Sequence, residues 1–377
     1  MLKTICITLF IFCSVKSLAQ FGPQQIITME ADGSQIIFAA DLDGDNKVDI
    51  LSANKFGSNL TWYRNIDGQG NFGPQNIIAD FERPTAIYAA DLDGDGDLDV
   101  IATSSYQNRA VWYQNRDGKG DFGPPQIISA TSQGAFSAIA ADIDGDGDLD
   151  IIIASDLDAT VAWYENLDGL GNFGPKQVIS ANNTNCRVVV AADIDGDGDL
   201  DIVVNGSNGI TLSWFENLDG EGNFGPKRII SSTAIYPNGI VCVDLDGDMD
   251  LDIVIVSPAS DSISWFENLD GMGTFGPEIL ITNNLSNAWS VYSADLDNDG
   301  DIDILATSAD AFGGEVVWFE NLDGSGNFSE QKTISTEVQS PRSVIAADID
   351  NDGDMDVIAS SQNDDKIAWY ENLTILG

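Results

Sequence analysis

Apolar and polar residues alternate over short runs along most of the chain, and no useful stretch repeats its apolar positions at the helical period of ~3.6 residues. The runs come in a fixed order. Thr85 to Ala90 is apolar and ends in Ala89-Ala90, and an acidic stretch follows. Asp99 to Thr103, "DVIAT", and Ala110 to Gln114, "AVWYQ", are two further runs. "NRDGKG" then carries an Asp-Gly signal, typical of hairpins, and Phe122 to Ser129, "FGPPQIIS", completes the set. The pattern predicts four short strands and scarce helix.

The same set recurs. Near-copies of "DLDGDGDLDV" begin at Asp41, Asp91, Asp142, Asp193, Asp244, Asp295 and Asp348, spaced 50, 51, 51, 51, 51 and 53 residues apart. A second signature, "W[YF]xN", keeps step from Trp62, Trp112, Trp163, Trp214, Trp265, Trp318 and Trp369. Seven four-stranded units predict an all-β fold, a seven-bladed β-propeller, rather than an open stack that would need capping units. The last unit lacks a fourth strand after Asn372, and Phe21 to Thr28, "FGPQQIIT", reads as that strand. It is expected to close the ring and remove two sheet edges. Small pairs such as Ala140-Ala141 and Ala346-Ala347 suit the crowded innermost strands.

Residues 1–19 read as a signal peptide. Lys3 precedes the apolar run Thr4 to Val15, which is too short to span a bilayer comfortably, and Ser17-Leu18-Ala19 offers a cleavage site before Gln20. The expected mature chain is one propeller, 20–377, secreted to an extracellular or periplasmic space as a monomer. Cys186 and Cys242 remain after cleavage and are expected as two buried free thiols. The net charge of -45, with 16 Lys and Arg, argues against a nucleic-acid partner and against anionic membranes.

Charge also frames the acidic stretches. In the second, Asp91, Asp93, Asp95 and Asp99 fall at positions one, three, five and nine. A tight turn aims them at one point, and four carboxylates plus a backbone carbonyl at position seven nearly fill the shell of Ca²⁺, which takes ~6–8 oxygens. Position seven is Lys47 in the first loop, which fits a backbone ligand. Mg²⁺ suits the set less, and zinc is disfavoured because the chain has no His. Up to seven Ca²⁺ are expected. The ligands are Asp41, Asp43, Asp45 and Asp49; Asp91, Asp93, Asp95 and Asp99; Asp142, Asp144, Asp146 and Asp150; Asp193, Asp195, Asp197 and Asp201; Asp244, Asp246, Asp248 and Asp252; Asp295, Asp297, Asp299 and Asp303; and Asp348, Asp350, Asp352 and Asp356. Asn46, Asn298 and Asn351 replace glycines tolerably. Met249 replaces one in the fifth loop, which is expected to be strained or rearranged.

The paired "DxDGDGxxD" loop and "FGP" strand resemble the FG-GAP repeats of integrin α-subunit propellers, and more closely the bacterial VCBS-type repeats. The resemblance spans Gln20 to Asn372. It implies a seven-bladed propeller whose calcium loops join the first and second strands of each blade on the lower face. It implies no single function, since the family includes adhesion modules, lectins and parts of carbohydrate-active enzymes.

Function is expected where the copies differ. The residues six before each acidic loop are Gln35, Thr85, Phe136, Arg187, Asn238, Trp289 and Arg342, a ring far more variable than its neighbours. It should surround the channel entrance opposite the calcium loops. Trp289 is the one Trp outside the repeated signature. An aromatic beside Arg and Asn suits a sugar ring, so Phe136, Arg187, Asn238, Trp289 and Arg342 are the candidate ligand residues. The signature tryptophans are expected to pack between blades. The reading is a binding or adhesion module for a glycan or extracellular protein, without catalysis. The alternative is a carbohydrate-active enzyme, a lyase or hydrolase on this scaffold.

Overall fold

The computed structural model describes residues 20–206, 209–309 and 313–374, so the signal segment expected at 1–19 lies outside the described residues. These hold twenty-eight strands in seven four-stranded antiparallel sheets. The sheets are blades around a central channel lined by first strands, including Phe38, Tyr88, Val190, Cys242 and Tyr292. No helix is long and apolar enough to cross a membrane.

In the second blade the strands are Ala86–Ala90, Asp99–Ser104, Arg109–Tyr113 and Gln126–Ser129. The fourth is shorter than its sequence suggests. Phe122 makes only an isolated bridge to Asn115, as Phe328 does to Asn321 in the sixth blade, where no proline follows. Each second strand is buried throughout, as in Asp99–Ser104, since neighbouring blades cover both faces.

The ring closes as the chain ends suggested. Gln25–Thr28 pairs antiparallel with Lys366–Tyr370, and Phe21 bridges Asn372. The seam repeats the contacts found elsewhere. A Cβ on Gly120 would strike Trp62 of the preceding blade, and Gly70 of the first blade stands likewise against Trp369 of the last. Trp318 instead meets Phe21 edge-on at 6.2 Å between centroids. The signature tryptophans are therefore inter-blade packing, and the second glycine of each "DGxG" turn makes room for them. The signature Asn adds a polar stitch. Asn115 Nδ2 donates to Leu42 O of the preceding blade at 2.9 Å, and Asn65 closes the circle on Ile349 O at 2.8 Å.

The thiol expectation needs one correction. Cys186 is buried, but Cys242 is only partly so. It sits on a first strand whose side chains alternate toward the open channel.

Candidate metal loops and a candidate ligand mouth

Each acidic loop joins a first strand to a second. In the second loop, position one ties the turn together: Asp91 Oδ1 accepts from Gly94 N at 2.8 Å and Oδ2 from Gly96 N at 2.9 Å. Positions four and six must then be left-handed, with φ of 72° at Gly94 and 91° at Gly96. Met249 occupies the latter place with φ of 77°, and its N–H still donates to Asp244 Oδ2 at 2.9 Å. The fifth loop is therefore strained but not rearranged. Its side chain is 89% exposed, in the open space that lies beyond Gly96, Gly147 and Gly198.

Position nine is a buried keystone. Asp99 Oδ2 accepts from Leu92 N at 3.1 Å, and Oδ1 from Asn115 N at 2.8 Å. Burial pushes its carboxyl up to about 7, and Asp49, Asp150, Asp201, Asp252, Asp303 and Asp356 likewise. The same Asp thus fixes the loop to the Asn that stitches blades together.

Position three is where the loops lack a partner. Asp43, Asp93, Asp195, Asp246, Asp297 and Asp350 each bury Oδ1 with no hydrogen bond. Burial and the neighbouring position-five carboxylate raise the Asp93 pKa. Orphaned carboxylate oxygens beside further carboxylates are a donor set that fits a hard cation. Carboxylate oxygens lie within 4.8 Å of one another in Asp41, Asp43 and Asp49; in Asp91, Asp93 and Asp99; and in Asp142, Asp144 and Asp146. The fourth and fifth loops group Asp193, Asp195 and Asp197, and Asp244, Asp246 and Asp248. All come from the expected ligands, but position nine joins the group in the first two loops and position five in the next three.

Two features escaped the sequence reading. The variable residue of "W[YF]xN" faces the loop: Arg64, Gln114, then Glu165, Glu216, Glu267, Glu320 and Glu371. Gln114 Nε2 donates to Asp93 Oδ2 at 2.5 Å, Arg64 pairs with Asp43, and the Glu165 charge helps raise Asp144. The slow change from cation to amide to anion was the available signal. In the seventh loop Asp354, at position seven, is buried with both oxygens unpartnered. It adds a side chain where a backbone ligand was expected.

On the first strands, the seven variable residues converge. Gln35, Thr85, Phe136, Arg187, Asn238, Trp289 and Arg342 all line one mouth of about 220 Å³ at the channel axis. Arg342 lies over the Trp289 ring, 3.8 Å from its centroid, and Arg187 over Phe136 at 5.0 Å. One Trp289 face is thus taken by a guanidinium rather than left for a sugar. Asn238 Nδ2 donates to Trp289 O at 3.1 Å.

Trp289 also borders an adjoining cleft of about 350 Å³, lined by Asn185, Arg187, Tyr236, Pro237, Asn238, Pro258 and Asn287 among others. Tyr236 was not anticipated. It holds φ at 50° in a place where Gly33 and Gly134 stand in other blades. The turn is left-handed at this place in every blade, through Arg83, Asn185, Asn287 and Ser340 in the others, so its φ is a feature of the repeat.

A ring of seven antiparallel blades carrying acidic loops defines a repeat β-propeller. The model of the FG-GAP-like repeat matches residues 41–102, 91–153, 142–204, 193–255, 244–306 and 301–359, and the chain belongs to that family. No curated protein matches the chain. Among solved structures, an Agrocybe aegerita lectin specific for non-reducing terminal N-acetylglucosamine is similar with a TM-score of 0.60 and 22% identity, over 81% of each chain. BBS1N, in complex with ARL6DN, is similar with a TM-score of 0.64 and 9% identity, over 95% of this chain and 99% of that one. At these identities the likeness is one of fold.

Proposed function

We propose that this is a secreted calcium-binding propeller that acts as a non-catalytic binding module, with a glycan as its ligand. One observation carries the reading. The blades repeat closely in the residues that pack them together, whereas seven variable first-strand residues, one from each blade, gather around a shared mouth with an adjoining cleft. Repetition serves packing and cations. Variation is kept for the place where an outside molecule is met.

The chemistry of the cleft suits a sugar. Trp289 and Tyr236 offer apolar rings, while Asn185, Asn238 and Asn287 offer amide donors and acceptors for hydroxyls. That a propeller of this fold serves as a lectin makes the reading a natural one for the scaffold. Calcium, held by the position-one, -three, -five and -nine carboxylates, would supply charge neutralisation beneath the ring and no chemistry at the mouth.

The experiment is a glycan array probed with the full chain in calcium and in EDTA, followed by Trp289→Ala. We expect calcium-dependent capture that falls at least tenfold in the variant while the melting temperature holds. Capture indifferent to Trp289 would move the site elsewhere, and turnover of a polysaccharide by the purified chain would replace the reading with an enzymatic one.

A further inference from the structure

The mouth gathers positive charge in an acidic protein. Setting Lys3 and Lys16 aside leaves 16 - 2 = 14 Lys and Arg, and eight of these sit in ion pairs with carboxylates. Among the described residues Lys55 and Arg342 make no such pair; Arg342 lines the mouth, and Lys55 reaches it through Gln35. Arg187 is the mouth cation that is matched, by Asp156 at 3.3 Å.

Two buried donors there lack acceptors. Arg342 donates through Nε to Gln362 Oε1 at 3.0 Å, but its Nη1 is buried with no hydrogen-bond partner. Gln35, from the next blade around, accepts from Lys55 Nζ at 3.4 Å through Oε1. That bond leaves Gln35 Nε2 aimed elsewhere, buried and unpartnered. Burial lowers the Lys55 pKa, and the guanidinium groups of Arg83, Arg342 and Arg187 lower it further. Donors without acceptors and cations without counter-charges, side by side, are each costly and share one remedy.

We propose that the mouth binds an anionic sugar, its carboxylate or sulfate seated among Arg342, Gln35 and Lys55. The inference deepens the glycan reading above and rests on it. The anion's oxygens accept from the orphaned nitrogens and offset the like charges, while a neutral hydroxyl would leave those charges facing one another. The Trp289 ring, 3.8 Å from the Arg342 guanidinium carbon, helps to fix its donors in place. At about 220 Å³ the mouth is smaller than the ~300 Å³ at which ordinary small-molecule pockets begin. One terminal sugar unit enters, not a run of units.

Titration calorimetry on the intact protein in calcium tests this with three oligosaccharides of equal length, ending in a hexuronate, a sulfated hexose or the neutral hexose. We expect at least one anionic terminus to bind tenfold or more tightly than the neutral one, and the two anionic arms tell carboxylate from sulfate. Arg342→Gln should reduce that preference to near one, and so should Lys55→Gln, a change at a half-buried residue that spares the Trp289 stack. Equal affinity for all three overturns the inference and leaves the glycan reading standing. So does a preference that survives both substitutions. Binding of none of them, together with a blank array, overturns the glycan reading and this inference together.

Discussion

The first and third acidic loops have the same Asp spacing and opposite surroundings. In the first, Arg64 reaches Asp43 at 2.5 Å and Asp45 at 2.9 Å, and Lys47 reaches Asp45 at 2.8 Å. Burial works against ionisation of Asp45, yet the hydrogen bonds from Lys47 and Arg64 win and hold its carboxyl below the usual range. In the third, Glu165 stands where Arg64 stood. Burial, Asp146 and Glu165 together raise the Asp144 pKa. The first loop carries cations of its own and the third carries none, although burial still raises the Asp43 pKa as it raises that of Asp144. Ligand spacing is therefore necessary for a metal site and does not by itself fix how much the site needs the metal.

The largest effect that tests this contrast is cation removal. Without a cation the seven position-nine carboxyls have pKa values of about 7, above the ordinary 3.8. A raised acid pKa gives stability that is complete below 3.8 and lost as pH rises through 7. Protein in EDTA should thus melt lower at pH 8 than at pH 5. Calcium opposes the loss by holding the carboxylates ionised. Each site occupied at a hundredfold excess adds about 2.7 kcal/mol, so several sites should open a gap of more than about 10 °C at pH 8. Equal melting temperatures in calcium and EDTA would end the metal reading.

The contrast should vanish at position nine, where both loops make the same stitch. Asp49→Asn and Asp150→Asn should each cost about 1–3 kcal/mol, because an amide cannot accept both backbone N–H bonds. Urea unfolding in EDTA should show the loss undiminished. Asp146→Asn, by comparison, should matter in calcium and little in EDTA. If Asp150→Asn proves silent without calcium, position nine is a ligand only.

The smallest effect is the most pointed. Arg64→Glu makes the first loop resemble the third. Metal analysis after equilibrium dialysis should find up to one more bound ion per chain, and the calcium-minus-EDTA gap should widen by a few degrees, at about 1–2 °C per kcal/mol for a chain of this length. An unchanged count and gap would mean that Arg64 does not decide occupancy.

Much of this was legible in the sequence for a simple reason. Seven copies let each position vote, so blade number, strand order, the clasp at Phe21 and the loop spacing stood out. Strand ends were less clear, because "FGPP" is apolar and reads as strand although Phe122 makes a single bridge there. The mouth residues were findable as the break in the repeat. What they touch was not. Nothing in the chain says that Arg342 lies on Trp289, since they belong to adjacent blades. Tyr236 was missed because positive φ leaves no mark on an aromatic residue's letter. Glu165 and its counterparts were missed because the signature was read for what it shares.

The Asn stitches have a consequence for how the molecule opens. A linear array of repeats frays at its ends, since terminal units have one neighbour each. Here Asn65 hands the last blade back to the first, which imposes a periodic boundary on the chain of couplings. No blade is terminal, so exchange of buried amides should require a cooperative event rather than a spreading edge. The exception is Gln25–Thr28, the one fourth strand that pairs with a third strand remote from it in sequence, Lys366–Tyr370. Its amides should exchange first, and their protection factors would measure the free energy of turning a circle into a line.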